Sequence, residues 1–262
     1  MKVRIDAVGL AAPGLESWAQ AQPVLRGDAP YQPQELSAYQ PNLLPPNERR
    51  RAAPAVRLAF RVAEDAVAGC AFKPHELAAV FATSEGDTSI LHRICTALAE
   101  TQRAVSPTDF HNSVHNAAAG YWSIATGAKA PSTSLSAFDA SFVAGLIEAA
   151  TMVHADGQAV LLAVYDVAPL APLQATRPIT QPFGTALVLS PPGVDGRAPM
   201  LELQSSAEPE TQLEDVAQEN LRLSNPAARA LPLLQALARG RPGSVIVAGV
   251  GGQRWRLGVA PP

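Results

Sequence analysis

The chain has 262 residues, of which 47% are hydrophobic and only 16% are charged, with a formal net charge of −3 at pH 7. Soluble domains average roughly 25% charged residues, so much of this chain must be buried, in its own core or against a partner. The weak negative charge excludes the broad positive field with which nucleic-acid-binding proteins attract phosphates.

The N-terminal segment contains Asp6 where a secretory signal needs uninterrupted apolar residues, and no apolar run reaches the length of a membrane span. We therefore expect a cytoplasmic protein. The two cysteines, Cys70 and Cys95, lie in segments with helical periodicity. They are expected to be small buried side chains in a reducing compartment, not a disulfide or metal ligands.

The first third of the chain predicts a strand, a loop, a helix and a second strand. VRIDAVGLAAPG predicts a strand and its turn, and the proline-rich residues 21–47 predict an ordered surface loop. Residues 52–71 have apolar positions at helical spacing, with Gly69 close to the end. LAAVFATS, at residues 77–84, predicts a short buried strand.

Strands and helices continue to alternate through the rest of the chain. The predicted helices cover residues 88–100, 113–126, 140–154 and 226–239, and the predicted strands cover residues 132–136, 159–166, 185–191, 201–206, 244–251 and 254–260. This alternation predicts a layered α/β fold in which helices cover a mixed or parallel sheet.

Residues 106–150 carry the most informative pattern, SPTDFHNSVHNAAAGYWSIATGAKAPSTSLSAFDASFVAGLIEAA. It resembles the β-ketoacyl synthase family, in which a Ser-Pro start, an Asn-rich helix, a Gly-Pro-Ser strand and an Ala-Cys elbow follow in that order. LPPNERRRAAPAVRLAFRVAEDAVAGCAF and RPITQPFGTALVLSPP resemble two further segments of these synthases. The resemblance implies a thiolase-like layered fold, with helices packed on mixed sheets.

In that family the nucleophilic cysteine lies eight residues after the proline of the strand. Counted from Pro131, that position is Asp139, and a register shifted by one residue gives Phe138. Neither side chain replaces a thiolate, which must act both as nucleophile and as leaving group in acyl transfer. A structural role for Asp139 is also open, as the N-cap of the helix that follows.

The resemblance divides the chain into two parts. Residues 1–190 resemble the N-terminal domain of the synthases, which implies that the first half of the fold is complete. Residues 191–262 lack both histidine segments of the family, so we expect an abbreviated C-terminal part that completes the fold. The resemblance thus implies a protein without the oxyanion-stabilising histidines of active members.

Loss of the cysteine and of both histidines is typical of chain length factors, the inactive ketosynthase-like subunits of type II polyketide systems. The shortened form is similar to members from aryl polyene pathways. The resemblance implies an active ketosynthase as the heterodimer partner, an acyl carrier protein with its bound acyl chain as a second partner, and no cofactor.

The resemblance also implies roles for particular residues. The strand before the elbow pairs across the dimer in this family, and its residues here are Ser132, Thr133, Ser134, Leu135 and Ser136. Bulky side chains that reach across the interface set tunnel length, and by position these are Leu91, Ile94 and Phe110. The alternative for these three is ordinary packing in the core.

Other functions stay open at this point. One alternative is a stand-alone acyltransferase or decarboxylase that uses Asp139, Ser141 or Cys95, and another is a homodimeric acyl-binding scaffold. A metal site at His111 and His115 is not expected, because HNSVH lacks the glutamate of the zinc-protease motif and a third ligand. His111, Asn112 and Ser113 are expected to cap the start of a helix instead.

Overall fold

A computed structural model of the chain describes residues 1–193 and 198–261. Its strands and helices, in chain order, are β1 (Lys2–Ala11), α1 (Trp18–Arg26), α2 (Pro46–Arg51), α3 (Pro54–Ala68), β2 (Ala78–Ala82), α4 (Thr88–Ala99), α5 (Pro107–Asn112), α6 (Ala117–Thr126), β3 (Ser132–Leu135), α7 (Ser141–Asp156), β4 (Val160–Asp166), β5 (Phe183–Ser190), β6 (Met200–Ser206), α8 (Val216–Ser224), α9 (Leu231–Arg239), β7 (Gly243–Ala248) and β8 (Arg254–Ala260).

One eight-stranded sheet runs through the molecule in the order β3-β2-β4-β5-β1-β6-β8-β7. β2 pairs in parallel with β3 and with β4. The remaining pairs are antiparallel, and β6 joins the sheet by pairing with β1. The mixed sheet predicted from the sequence is confirmed, and residues after 198 extend it as strands β6, β8 and β7.

Helices cover both faces of this sheet, because the central strands are apolar on both sides. All seven residues of β4 and all eight of β5 are buried. On one face α3 and α6 pack together, with the Phe60 and Trp122 ring centroids 5.5 Å apart. On the other face α7 packs against β2 and β4, and its buried residues belong to the same core cluster as those of α9. Within the described residues, no helix is long and apolar enough to cross a bilayer.

Four helices, α1, α2, α5 and α8, were not predicted from the sequence. α1 lies partly within the predicted loop of residues 21–47 and contains Pro23, which removes one intrahelical hydrogen bond. It forms nevertheless because Ser17 caps its start and because Ala21 and Leu25 are buried in the core cluster that also contains α9. α8 has a polar majority, VAQENLRLS, and its start is fixed by Asp215, whose side chain accepts a hydrogen bond from Gln218 N.

The helix predicted over residues 113–126 is wrong in its first part. α5 ends at Asn112 and α6 begins only at Ala117, so His111 lies in α5 while His115 lies in the linker between the two helices. Asn112 and Ser113 do not cap a helix start, because the Ser113 hydroxyl donates to Phe110 O at the end of α5. In the described part of the chain, no three His, Cys, Asp or Glu side chains are placed to bind a metal ion.

The predicted burial of both cysteines is also wrong. Cys70 lies beyond the end of α3 and is half-buried, whereas Cys95 lies on α4 and is exposed. The sequence places Cys95 on an amphipathic helix, but α4 buries only Thr88 and Ile90. Its outer face therefore has no covering layer within the described chain.

Gly9 sets how closely α3 approaches the sheet, and this gives a first prediction. A Cβ atom at Gly9 would lie 2.0 Å from Val62 O, and Val62 is in the middle of α3. Gly9→Ala should therefore lower the free energy of unfolding by about 3 kcal/mol, since a backbone contact must be displaced.

Gly120 in α6 provides the matched control, because a Cβ atom there meets nothing within 4 Å. Gly120→Ala should raise stability by about 0.5–1 kcal/mol through helix propensity. Urea unfolding followed by circular dichroism measures both. Equal effects of the two substitutions would contradict the close packing of α3 on β1.

Candidate functional site

Three parallel strands end at the same edge of the sheet, and the polar residues that follow them meet there. β2 leads into Thr83, Ser84 and Glu85, β3 leads into residues 136–140, and β4 ends at Asp166. The carboxyl edge of parallel strands is where α/β proteins place their binding and catalytic groups. This edge is therefore the candidate site.

The turn between β3 and α7 is a tight elbow with a strained residue. Residues Phe138–Ala140 form a single 3-10 turn, and Phe138 has a φ of +53°. A bulky side chain in the left-handed region is costly and persists only where its surroundings impose it. The wholly buried Ser141 does so, because its hydroxyl donates to Phe138 O at 2.7 Å and accepts from Ala137 N at 3.0 Å.

The carboxylate of Asp139 is bound to a cation that the sequence analysis missed. Asp139 Oδ1 accepts a hydrogen bond from Arg177 Nη1 at 3.0 Å, and Arg177 also pairs with Glu85. The Arg177 guanidinium lies 3.7 Å from the centroid of the Phe138 ring. The elbow, the loop after β2 and the loop before β5 are thus joined through one arginine.

The prediction that Asp139 caps α7 is wrong. The N-cap residue of α7 is Ala140, and no side chain caps its first turn. The carboxylate turns to Arg177 instead, because a charged partner gives a stronger hydrogen bond than a backbone amide does.

Arg177 keeps its charge although it lies below the surface, with its side chain only 13% exposed. Burial disfavours the cation, but the hydrogen bonds and charges of Glu85 and Asp139 outweigh burial and raise the pKa of Arg177 above its ordinary value. In the sequence, only its place at the start of the proline-rich segment RPITQP distinguishes Arg177.

The elbow carries no competent nucleophile. Phe138 and Asp139 occupy its tip, both exposed, and Ser141 is held in backbone hydrogen bonds on both sides. Cys70 and Cys95 lie elsewhere, beyond α3 and on α4. A carboxylate attacking a thioester would form a high-energy anhydride, so this arrangement does not support acyl transfer through the elbow.

A second carboxylate, Asp166, is buried behind the elbow. Its Oδ1 accepts hydrogen bonds from Thr83 Oγ1, Ser84 N and Ser84 Oγ at 2.7–2.9 Å, and its Oδ2 accepts one from Ala227 N at 3.1 Å. Burial raises its pKa to about 6, against the opposing effect of the donors from Ser84 and Thr83. Asp166 therefore ties β2 and β4 to the turn that precedes α9.

The predicted tunnel residues do not share one environment. Leu91 is 53% exposed and Phe110 is 71% exposed, so ordinary core packing is excluded for both in the isolated chain. Ile94 is partly buried and packs against the core cluster on the α3 face of the sheet. Within the described residues, no other part of the chain covers the apolar side chains of Leu91 and Phe110.

These two residues belong to a larger exposed region, which we call the α4–α5 excursion and define as residues 91–116. Only Asn112 is buried within it. Arg93 holds the two helices together through a salt bridge to Asp109, with Nη2 and Oδ1 2.7 Å apart. An exposed surface of this kind with large apolar residues marks a protein interaction site.

The predicted interface strand lies at one edge of the sheet. β3 contains Ser132, Thr133, Ser134 and Leu135, while Ser136 follows it and donates a hydrogen bond to Ser84 O at 2.7 Å. Within the described chain β3 pairs only with β2, which leaves its outer backbone groups open to another strand.

Comparisons with known proteins agree on one family and one fold. The family described as "Beta-ketoacyl synthase, N-terminal domain" matches residues 17–256. A comparison with curated protein sequences gives no significant match.

Solved structures of ketosynthases and chain length factors share the fold at low sequence identity. The structure of the ketosynthase ApeO in complex with its chain length factor ApeC from Xenorhabdus doucetiae matches with 24% identity and a TM-score of 0.74, covering 98% of this chain and 99% of that chain. The ishigamide ketosynthase/chain length factor matches with 13% identity and a TM-score of 0.70, covering 98% of each chain.

One chain from a complex with a carrier protein has the same fold. AntDE:AntF, a type II polyketide synthase acyl carrier protein in complex with its ketosynthase, matches with 12% identity and a TM-score of 0.72. That match covers 100% of this chain and 99% of the other. The thiolase-like fold predicted from the sequence is confirmed by these structures.

Asp166 gives a prediction about the pH dependence of stability. The pKa of the Asp166 carboxyl group is 3.8 in the unfolded chain and about 6 in the folded chain. Between these values the folded chain retains a proton that the unfolded chain has released, so the contribution of Asp166 to the free energy of unfolding falls as pH rises. The fall is at most about 3 kcal/mol between pH 4 and pH 6, with no further change above.

Asp166→Asn removes this titration. The side-chain amide group of the asparagine then faces the backbone N–H of Ala227, which lowers the free energy of unfolding at every pH. Urea unfolding of both proteins from pH 4.5 to pH 7.5 is the measurement. The stability of the wild type relative to the variant should decrease up to pH 6 and then stay level. A constant difference across this range would contradict a buried, titrating carboxyl group.

Proposed function

The chain belongs to the β-ketoacyl synthase N-terminal domain family, and from this premise we propose that it is a non-catalytic chain length factor. In this proposal it pairs with an active β-ketoacyl-ACP synthase and shapes the tunnel that receives the growing acyl chain. The observation that carries the proposal is the elbow, where Asp139 binds Arg177 and no thiol is present.

The chemistry of the elbow supports a subunit without condensing activity. Condensation needs a thiolate to accept the acyl group, and Asp139 stands at the position that the family pattern gives to the cysteine. Its carboxylate is held by a guanidinium that already has a second carboxylate partner, Glu85. The role of the site is then architectural, since it fixes the loop before β5 to the end of β3.

The exposed surface supports dependence on a partner. The α4–α5 excursion places Leu91 and Phe110 in solvent, and β3 leaves one edge of the sheet unpaired within the described chain. A ketosynthase that pairs with β3 and covers the excursion would bury both features at once. Leu91, Ile94 and Phe110 would then lie at the interface, where side-chain size can limit the length of the acyl chain.

The proposal extends to the type of product, and the solved structures with this fold support it. A ketosynthase with its chain length factor and a ketosynthase with its acyl carrier protein both share this fold. We extend this to a type II polyketide system of the aryl polyene kind, with a carrier-bound acyl chain as the ligand. Residues 1–190 would form the synthase-like part and residues 191–262 the shortened part that completes the sheet.

Co-expression with a ketosynthase encoded beside this chain tests the pairing. We expect a one-to-one complex on size-exclusion chromatography, and chain elongation by the complex but not by this chain alone. A homodimer that elongates substrate without a partner would favour the acyltransferase alternative. A homodimer that binds acyl chains without turnover would favour the scaffold alternative.

Substitution at the exposed surface gives a matched pair of variants. Leu91 and Leu223 are both 53% exposed, but Leu91 lies on α4 and Leu223 on α8. Leu91→Glu should weaken the complex by at least about tenfold, because a charge is placed in an apolar contact. Leu223→Glu should leave the Kd within about twofold.

Both substitutions should change the stability of the free chain by less than about 0.5 kcal/mol, since both sites are solvated there. Isothermal titration calorimetry of the complex and urea unfolding of the free chain separate the two effects. Equal Kd values for the two variants would contradict the assignment of the α4–α5 excursion to the interface.

A further inference from the structure

Phe138 combines three properties that a purely structural residue does not need. Its backbone is in the left-handed region, with φ at +53°. Its side chain is 60% exposed. One face of its ring is covered by the Arg177 guanidinium at 3.7 Å, which fixes the direction in which the ring projects.

Strain and exposure together are unfavourable for the isolated chain. A phenyl side chain gains little when it stays in water, and the left-handed backbone adds a cost that glycine would avoid. The residues around it nevertheless enforce the conformation, through Ser141 beneath the backbone and Arg177 beneath the ring. Strained residues of this kind occur where a binding surface is held ready.

The position of Phe138 is continuous with the other exposed features. Two residues before it, Ser136 donates to Ser84 O, which joins the elbow to the loop after β2. That loop reaches the α4–α5 excursion, because a Cβ atom at Gly86 would lie 3.9 Å from His115 Cδ2. The elbow that carries Phe138 is therefore joined, through the loop after β2, to the excursion.

Both carboxylates beneath the ring pair with Arg177, so the cluster of one cation and two anions carries a net charge of −1. Arg177 pairs with Glu85 and with Asp139, so covering the cluster would leave neither carboxylate unpaired. An unpaired buried charge would oppose association strongly. The ring of Phe138 can therefore be covered without separating either carboxylate from its cationic partner.

We propose that Phe138 is the anchor residue of the heterodimer interface, inserting its exposed ring face into an apolar pocket of the partner ketosynthase. This rests on the proposed function, since it assigns one residue within that pairing. Arg177 acts as a positioning residue that holds the ring outward. Aromatic anchors in preformed positions dominate the affinity of protein interfaces.

The test compares Phe138→Ala with the wild type in the complex with the co-expressed ketosynthase. We expect Phe138→Ala to raise the Kd by about 30-fold or more, as for an interface hot spot. The free variant should be about as stable as the wild type, because alanine keeps the Cβ atom that makes the left-handed backbone costly and loses only an exposed ring. Val250→Ala, at an exposed site beside the opposite edge of the sheet, is the control and should change the Kd less than twofold.

Arg177→Lys tests the positioning role. Lysine retains the charge for Glu85 and Asp139 but lacks the planar group that stacks on the ring. We expect a Kd between those of the wild type and Phe138→Ala, and no further loss when Arg177→Lys is added to Phe138→Ala. Additive losses in the double variant would show that Arg177 acts independently of the ring.

The outcomes separate this inference from the proposed function. If the wild type forms the complex and Phe138→Ala binds within threefold of it, the anchor is disproved while the pairing stands. If the wild type forms no complex with the ketosynthase, the proposed function fails and the anchor fails with it. A loss of affinity accompanied by unfolding of free Phe138→Ala would also disprove the anchor, because the ring would then support the fold.

Discussion

The parallel pairing of β2 with both β3 and β4 is the constraint on which the site depends. It brings the ends of three strands to one edge of the sheet, although they are separated by long stretches of sequence. Asp166 then binds the residues after β2 and the turn before α9 with one carboxylate. The C-terminal strands and helices are joined to this edge through Ala227 and, through β6, to β1.

The same edge explains how an enzyme-like architecture can serve a different role. The elbow keeps its tight turn and strained residue, but its charged groups bind one another instead of a substrate. The unpaired strand edge and the exposed helical excursion face outward, where this chain supplies no cover of its own. In the proposed function, the site therefore contributes through the surface that it presents to a partner.

Much of the fold could be predicted from the sequence, because the buried strands have continuous apolar runs and α3 has a clear helical period. α1 could not be predicted, since Pro23 argues against a helix and the favourable packing of Leu25 comes from distant residues.

The position of Asp139 in the site followed from the spacing of the sequence, but its contact with Arg177 did not. Arg177 is 38 residues away, so only the fold brings the two together. The exposure of Leu91 and Phe110 could not be predicted either. The sequence pattern of an apolar helix face is the same whether the chain itself or a partner covers that face.

The most direct test of the central claim is to ask which subunit carries an acyl group. Labelled acyl and malonyl carrier proteins would be incubated with this chain alone, with the ketosynthase partner, and with a complex whose ketosynthase cysteine is replaced by alanine. We expect covalent label on the partner only, no label on the cysteine-free complex, and neither label nor carbon dioxide release from this chain alone. Label on this chain, or carbon dioxide released by it alone, would contradict a non-catalytic role.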